Sequence, residues 1–157
     1  MTNNAKSILK NQKGLTLVEV LAVIVILGII AAIAIPAVNT MIDKSRDEAH
    51  RANAQLIIDS ARMYVTVEDL LGGGNDSESV SAQNLVDEGY LAKLPTDPDN
   101  KGNTYHPTAT VVTVSRNQSG VISYAITLAR NDQGSSNPHL YFDKVSENDV
   151  STYAIKR

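Results

Sequence analysis

The sequence predicts an α+β fold, in which one long N-terminal α-helix packs on a small antiparallel β-sheet. Residues 15–36 form an almost uninterrupted apolar run, an amphipathic stretch continues to residue 71, and the C-terminal half contains alternating segments. Apolar residues at helical spacing indicate a helix, whereas alternation indicates strands. The chain is therefore expected to divide into four segments, at residues 1–14, 15–36, 37–71 and 72–157.

Composition bounds the possible functions. The chain has 157 residues and no cysteine, which suits one membrane anchor and one modest domain without disulfides, cysteine metal sites or a thiol nucleophile. The first fourteen residues contain three lysines and no acid, so the remainder carries 11 basic and 17 acidic residues, a net charge of −6. An acidic body is a poor partner for phosphate backbones, so strong nucleic-acid binding is not expected.

The N-terminal segments resemble an export signal with an unusually long apolar core. Residues 15–35 would form about 31 Å of helix at ~1.5 Å per residue, enough to cross a bilayer. The preceding lysines place residues 1–14 in the cytoplasm and the rest of the chain outside. The alanine-rich "AAIAIPAV" leaves open a cut that would release a soluble product.

Two residues interrupt the apolar character of this run. Glu19 carries a carboxylate into a segment where an ionisable group costs roughly 3 kcal/mol, so it is either functional or snorkels to the nearby membrane edge. Pro36 removes one helical hydrogen bond, which predicts a kink or local loosening after which the helix resumes.

The amphipathic segment is expected to cover one face of the sheet. Its apolar residues recur at intervals of three, four and seven, which predicts one buried stripe. The predicted stripe consists of Met41, Ala49, Ala52, Leu56, Met63, Val67 and Leu70. The three glycines of "LLGGGND" then end the helix.

The C-terminal segment is expected to begin with a short helix and to continue as strands. In "SVSAQNLVDEGYLAKLP", Ser81 can cap the helix, Leu85 and Val86 face inward, and Gly89 ends it. An ordered turn, "PTDPDNKGN", precedes a hairpin formed by "TATVVTVSR" and "GVISYAITLAR". "HLYFDKV" and "STYAIK" are weaker strand candidates.

No residue pattern predicts catalysis or a cofactor. The three histidines lack metal-ligand spacing, and the sequence has neither a phosphate-binding loop nor a G-x-S-x-G motif, so an enzyme is not expected. Asp97, Asp99 and Asn100 form a weak candidate metal loop. Lys101 occupies a ligand position of the EF-hand pattern and Thr108 replaces its closing glutamate, which favours turn chemistry over metal binding.

The N-terminal residues together resemble the signature of type IV pilins and related pseudopilins. The signature consists of Gly14, the segment Leu15-Thr16-Leu17-Val18-Glu19, an apolar run containing Gly28, and Pro36 at its end. The resemblance implies that an inner-membrane prepilin peptidase cuts between Gly14 and Leu15 and methylates the new amine. Leu15 departs from the phenylalanine that is usual in this family.

The same resemblance implies a role for the glutamate and its neighbours. Glu19 would pair with the amine of Leu15 in an adjacent subunit, which offsets the cost of the buried charge and sets the axial register. Thr16, Gly28 and Pro36 complete the implied assembly residues.

The implied function is that of a structural subunit, a major-type pilin of a type IV pilus-like filament that polymerises through its apolar helix. A second segment, "NLVDEGYLAKLPTDP", is similar to the major pseudopilins of type II secretion and Gram-positive competence systems. Two alternatives therefore stay open. One is a major pseudopilin of secretion or DNA uptake, and the other is a single-pass anchored binding domain that does not polymerise.

The implied partners follow from filament assembly. They are other copies of the chain, minor pilins, the prepilin peptidase, and an inner-membrane assembly platform with its motor ATPase. Before assembly the chain would lie in the inner membrane as a single-pass precursor. Afterwards it would form a cell-surface or periplasm-spanning filament.

Overall fold

The computed structural model describes residues 16–68, 77–100, 102–132, 135 and 137–156. The chain contains two compact units, Met1–Ile42 and Asp43–Arg157. Helix α1, Leu17–Glu68, contributes residues to both units.

The first unit contains the apolar part of α1. Every described residue from Thr16 to Ile42 is exposed, and an 18-residue window of the helix reaches a mean hydropathy of 3.0. By length and composition, α1 could cross a membrane. Pro36 lies inside α1, which confirms that the helix resumes after it.

The second part of α1 packs through a face other than the predicted one. Its buried residues are His50, Ala54, Ile57, Ile58, Ser60, Ala61 and Val65. Most of the predicted stripe is exposed instead: Met41, Ala52, Leu56, Met63 and Val67. Ala49 is partly buried, and Leu70 lies outside the described residues. The prediction was wrong because two faces of α1 carry apolar residues, and the buried face includes small and polar residues that periodicity does not count.

The second unit contains a four-stranded antiparallel sheet, which confirms the α+β class. Its strands are β1 (Ser77–Ser81), β2 (Val111–Arg116), β3 (Ile122–Ala129) and β4 (Leu140–Ser146), in that spatial order. The predicted hairpin is confirmed, since β2 pairs with β3 from Val111 opposite Thr127 to Arg116 opposite Ile122. A 3₁₀ turn, Glu147–Asp149, follows β4.

Two strand assignments differ from expectation. Ser77–Ser81 is a strand rather than the approach to a helix, although three of its five residues are serine and only Val80 is buried. "STYAIK" forms no strand. Instead, Tyr153 stacks on Phe142 with ring centroids 5.4 Å apart, and Ile155 packs against the core.

Helix α2, Ala82–Asp87, forms as the sequence predicts. Ser81 is its N-cap, and its hydroxyl accepts a hydrogen bond from the Asn84 N–H at 3.2 Å. Leu85 is fully buried and Val86 packs against the core from a partly buried position. Gly89 ends the helix with a φ of +78° and donates its N–H to the Val86 carbonyl.

Candidate assembly site

The candidate site begins at the N-terminus of α1, where Thr16 and Glu19 form a reciprocal pair. Glu19 Oε2 accepts hydrogen bonds from the Thr16 N–H at 2.8 Å and from the Thr16 hydroxyl at 3.1 Å. The Glu19 N–H in turn donates to Thr16 Oγ1 at 3.3 Å. This is a capping box, because Thr16 caps the helix and the glutamate three residues later returns to the capping residue.

The capping box gives Glu19 a partner within its own chain. Both hydrogen bonds to the carboxylate end on Oε2, so neither uses Oε1. The Glu19 side chain is therefore folded back toward Thr16. A carboxylate held at a helix N-terminus also interacts favourably with the helix dipole. The sequence reasoning named both residues but missed this local role, although the T-x-x-E spacing was readable.

The remaining predicted assembly residues lie further along α1. A Cβ added at Gly28 would meet no atom within 4 Å, so nothing in the described chain requires a glycine there. After Pro36, the Thr40 hydroxyl donates to the carbonyls of Pro36 at 3.2 Å and Ala37 at 2.8 Å. Gly14 and Leu15, the predicted processing residues, lie outside the described residues.

The weak candidate metal loop is built as a turn. Asp97 is 1% exposed, and its carboxylate accepts hydrogen bonds from the backbone N–H groups of Asp99 at 2.8 Å and Asn100 at 3.2 Å. The Tyr141 hydroxyl donates to both Asp97 oxygens, at 2.9 and 3.1 Å. Within the described residues, no three acidic, histidine or cysteine side chains are grouped to hold a metal ion.

A buried polar cluster beside this loop was not predicted. His50 of α1 is fully buried, its Nδ1 lies 2.8 Å from the Tyr105 hydroxyl, and its Nε2 lies 3.4 Å from Asp99 Oδ2. Its ring lies against that of Tyr141, with centroids 4.2 Å apart. Burial raises the pKa of the Tyr105 and Tyr141 hydroxyls well above the ordinary range. The cluster links α1, the 97–100 turn and β4.

Comparison with known proteins gives a family match at the N-terminus of the chain. A protein-family model described as "Prokaryotic N-terminal methylation motif" matches residues 9–35, which include the capping box and most of the apolar run. The matched residues end inside α1, and the four-stranded sheet follows them in the chain. No solved structure matches the chain.

Several curated relatives carry the name "Type II secretion system core protein G". The protein from Klebsiella pneumoniae is 31% identical over 57% of this chain and 71% of its own length. The protein from Pseudomonas aeruginosa is 31% identical over 61% of this chain and 72% of its own length. The Dickeya chrysanthemi protein is also 31% identical, and the chain spans 64% of its length. This chain belongs to the pilin and pseudopilin family.

Proposed function

We propose that this chain is a structural subunit of a pilus-like filament, and that the filament is the pseudopilus of a type II secretion system. The supporting observation is the apolar part of α1, residues 17–42, in which every side chain is exposed among the described residues of the chain. Large side chains from Leu17 to Val38 are 45 to 86% exposed, whereas the core of the second unit is complete without them. Such a surface requires lipid or other protein.

Lipid would cover this apolar surface before assembly, and the helices of other copies would cover it in the filament. A helix forms its backbone hydrogen bonds within itself, so the segment is stable in a bilayer before assembly. Side-by-side packing with the helices of other copies would then bury the branched side chains in the filament. The names of the relatives favour the secretion pseudopilus over the type IV pilus that the sequence first suggested.

Processing would create the second partner of Glu19. Cleavage between Gly14 and Leu15 leaves an amine directly before Thr16, and methylation preserves its charge. In a single chain the capping box holds the Glu19 carboxylate. In the filament, the Leu15 amine of an adjacent copy would approach the same carboxylate. In a medium of low dielectric constant this ion pair penalises any axial offset that leaves the charge unpaired.

The proposal places the chain at the inner membrane before assembly, with residues 1–14 in the cytoplasm. Its partners would be the prepilin peptidase, other copies, minor pseudopilins, and the assembly platform with its motor ATPase.

Processing is tested by the mass of the protein extracted from cells that contain the peptidase. We expect a chain that begins at Leu15 with a methylated amine. An intact chain that begins at Met1 would contradict the processing step.

The role of Glu19 is tested by two substitutions that separate charge from capping. Glu19→Ala removes both, whereas Glu19→Gln removes the charge and keeps an acceptor that still suits a capping box. We expect both variants to fold and enter the membrane but to form few fibres, as counted by electron microscopy of sheared material. Wild-type fibre yield from Glu19→Gln would show that the carboxylate acts only as a cap.

A further inference from the structure

The turn between β2 and β3 carries a short motif that the proposed assembly function does not use. Asn117, Gln118 and Ser119 match N-x-[ST], the acceptor motif of N-linked glycosylation, with a middle residue other than proline. A motif of three residues also arises by chance. Its use as an acceptor depends on whether the folded chain presents the asparagine to solvent, on a segment that an enzyme can reach.

The whole turn is presented to solvent. Residues 117–121 are all exposed. The Asn117 N–H donates to the Val121 carbonyl at 3.0 Å, and the Gly120 N–H donates to the Asn117 carbonyl at 2.9 Å. Gly120 adopts a φ of +80°, which a glycine accepts without strain. The motif therefore lies on an ordered turn at the end of a hairpin, where a bulky group can be attached without entering the core.

The hydrogen bonds of the Asn117 side chain decide which end of its amide is available. Oδ1 accepts hydrogen bonds from the backbone N–H groups of Ser119 at 3.0 Å and Val121 at 2.9 Å. Because an amide nitrogen donates and does not accept, these two donors fix the position of the oxygen. Among the described residues, Nδ2 has no hydrogen-bond partner. The nitrogen that would carry a sugar is thus the end of the amide that the turn does not use.

Two exposed apolar side chains lie directly beside the motif. Val121 is 59% exposed and Ile122 is 39% exposed. Among the described residues of the second unit, large apolar side chains exposed to this degree otherwise occur only on α1. A sugar attached to Asn117 would place its C–H groups near this pair and remove part of its apolar surface from water.

We propose that Asn117 is an N-glycosylation site, and that its glycan comes from a polyprenyl diphosphate donor on the outer face of the membrane. In the transfer, Nδ2 attacks C1 of the first sugar. The N–C1 bond forms as the bond between C1 and the diphosphate oxygen breaks, the diphosphate leaves with the electron pair, and Nδ2 loses one proton to a base of the transferase. This inference rests on the membrane orientation in the proposed function, because only an outward-facing sheet domain meets such a donor.

Peptide mass spectrometry of the full chain from its native host tests the site. The chain contains two motifs of this kind, at Asn75 and Asn117, and trypsin places them in separate peptides, residues 63–93 and 117–130. We expect peptide 117–130 to carry a glycan, with fragmentation placing the added mass on Asn117. The same chain from a host without an oligosaccharyltransferase is the control and should give the bare peptide.

Two substitutions at one position separate the motif from the turn. Ser119→Ala removes the hydroxyl that the motif requires, but it keeps the backbone N–H that donates to Asn117, so the turn is preserved. It should lower the glycosylated fraction of peptide 117–130 about tenfold or more. Ser119→Thr is the matched control, because threonine also satisfies the motif, and it should retain the glycan.

The possible results separate the modification from the proposed function. A bare peptide 117–130 from the native host would overturn the site, and so would a glycan found only on residues 63–93 or one that survives Ser119→Ala. Protease treatment of intact cells without an outer barrier reports the orientation. An outward-facing chain that lacks the glycan overturns the modification alone, whereas a sheet domain protected from external protease overturns the proposed orientation and the modification together.

Discussion

The two parts of α1 use the same secondary structure in opposite ways. In residues 17–42 every side chain is exposed, although nearly all are apolar, whereas in residues 43–68 seven side chains are buried in a domain core. The second part derives its stability from its own chain. The first part has its partners elsewhere, which is why its sequence is apolar on all sides rather than on one face.

The largest expected difference between the two parts is the cost of truncating an isoleucine. Ile57→Ala leaves a cavity in the core and should lower the free energy of unfolding of the sheet domain by about 2–5 kcal/mol. Ile26→Ala, at a position 56% exposed, is the matched control and should leave that free energy unchanged. Denaturant titration of the full chain in detergent, followed by circular dichroism, measures both. Equal losses of unfolding free energy from the two variants would contradict the distinction between a buried and an exposed part of α1.

Alkaline pH should destabilise the second unit alone. Burial raises the pKa of the Tyr105 and Tyr141 hydroxyls in the folded state. In the unfolded state a tyrosine has a pKa of about 10, so above that pH the unfolded chain releases protons that the folded chain retains. Stability is therefore fully present below that pH. It falls as pH rises further, by about 1.4 kcal/mol per pH unit for each tyrosine.

All six tyrosines lie between residues 64 and 153, so tyrosinate absorbance reports only on the second unit. Titration should show a subset that ionises only on unfolding. If all six ionised together near pH 10 in the folded protein, the buried cluster around His50 would not exist in solution.

A smaller effect is expected from Tyr141→Phe. The change removes the hydroxyl that donates to both oxygens of the buried Asp97 carboxylate. Leaving that group short of donors should cost about 1–3 kcal/mol in the same denaturant titration. Tyr153→Phe, at a partly buried ring stacked on Phe142, is the control and should cost less. Equal losses would mean that the Tyr141 hydroxyl contributes no more to stability than the Tyr153 hydroxyl.

The smallest effect on the isolated chain is expected from Gly28→Ala. A Cβ at this position meets nothing, and alanine favours a helix over glycine by about 1 kcal/mol, so the fold should be unchanged or slightly stabilised. If other helices approach closely here in the filament, fibre yield should fall nonetheless. Gly120→Ala is the contrasting change in the second unit, because Gly120 adopts a positive φ in the turn between β2 and β3 and alanine is strained there. Wild-type fibre yield from Gly28→Ala would show that the glycine is not an assembly residue.

Local signals in the sequence were sufficient for most of the fold. The apolar run, Ser81 as a cap, Gly89 as a helix end and the alternating hairpin each depend on a few neighbouring residues, and each appears in the structure. The buried face of α1 was mistaken because the sheet, rather than the helix, decides which of two apolar faces is covered. His50 was missed for the same reason, since its partners lie 49 to 55 residues away.

The signature predicted which residues form the candidate site. It did not predict the hydrogen bonds between Thr16 and Glu19. The signature identified Glu19 as the unusual residue of the apolar run, but the capping box with Thr16 shows that the carboxylate already has a partner before any assembly. On assembly, the Leu15 amine of a neighbouring subunit must therefore either join the two Thr16 donors at the Glu19 carboxylate or displace them.

The position of Glu19 in the native fibre tests this account most directly. A reconstruction that resolves side chains should place the Glu19 carboxylate within about 4 Å of the Leu15 amine of an adjacent subunit, the distance of an ion pair. A carboxylate that contacts only Thr16 of its own chain, or that faces solvent, would contradict the account.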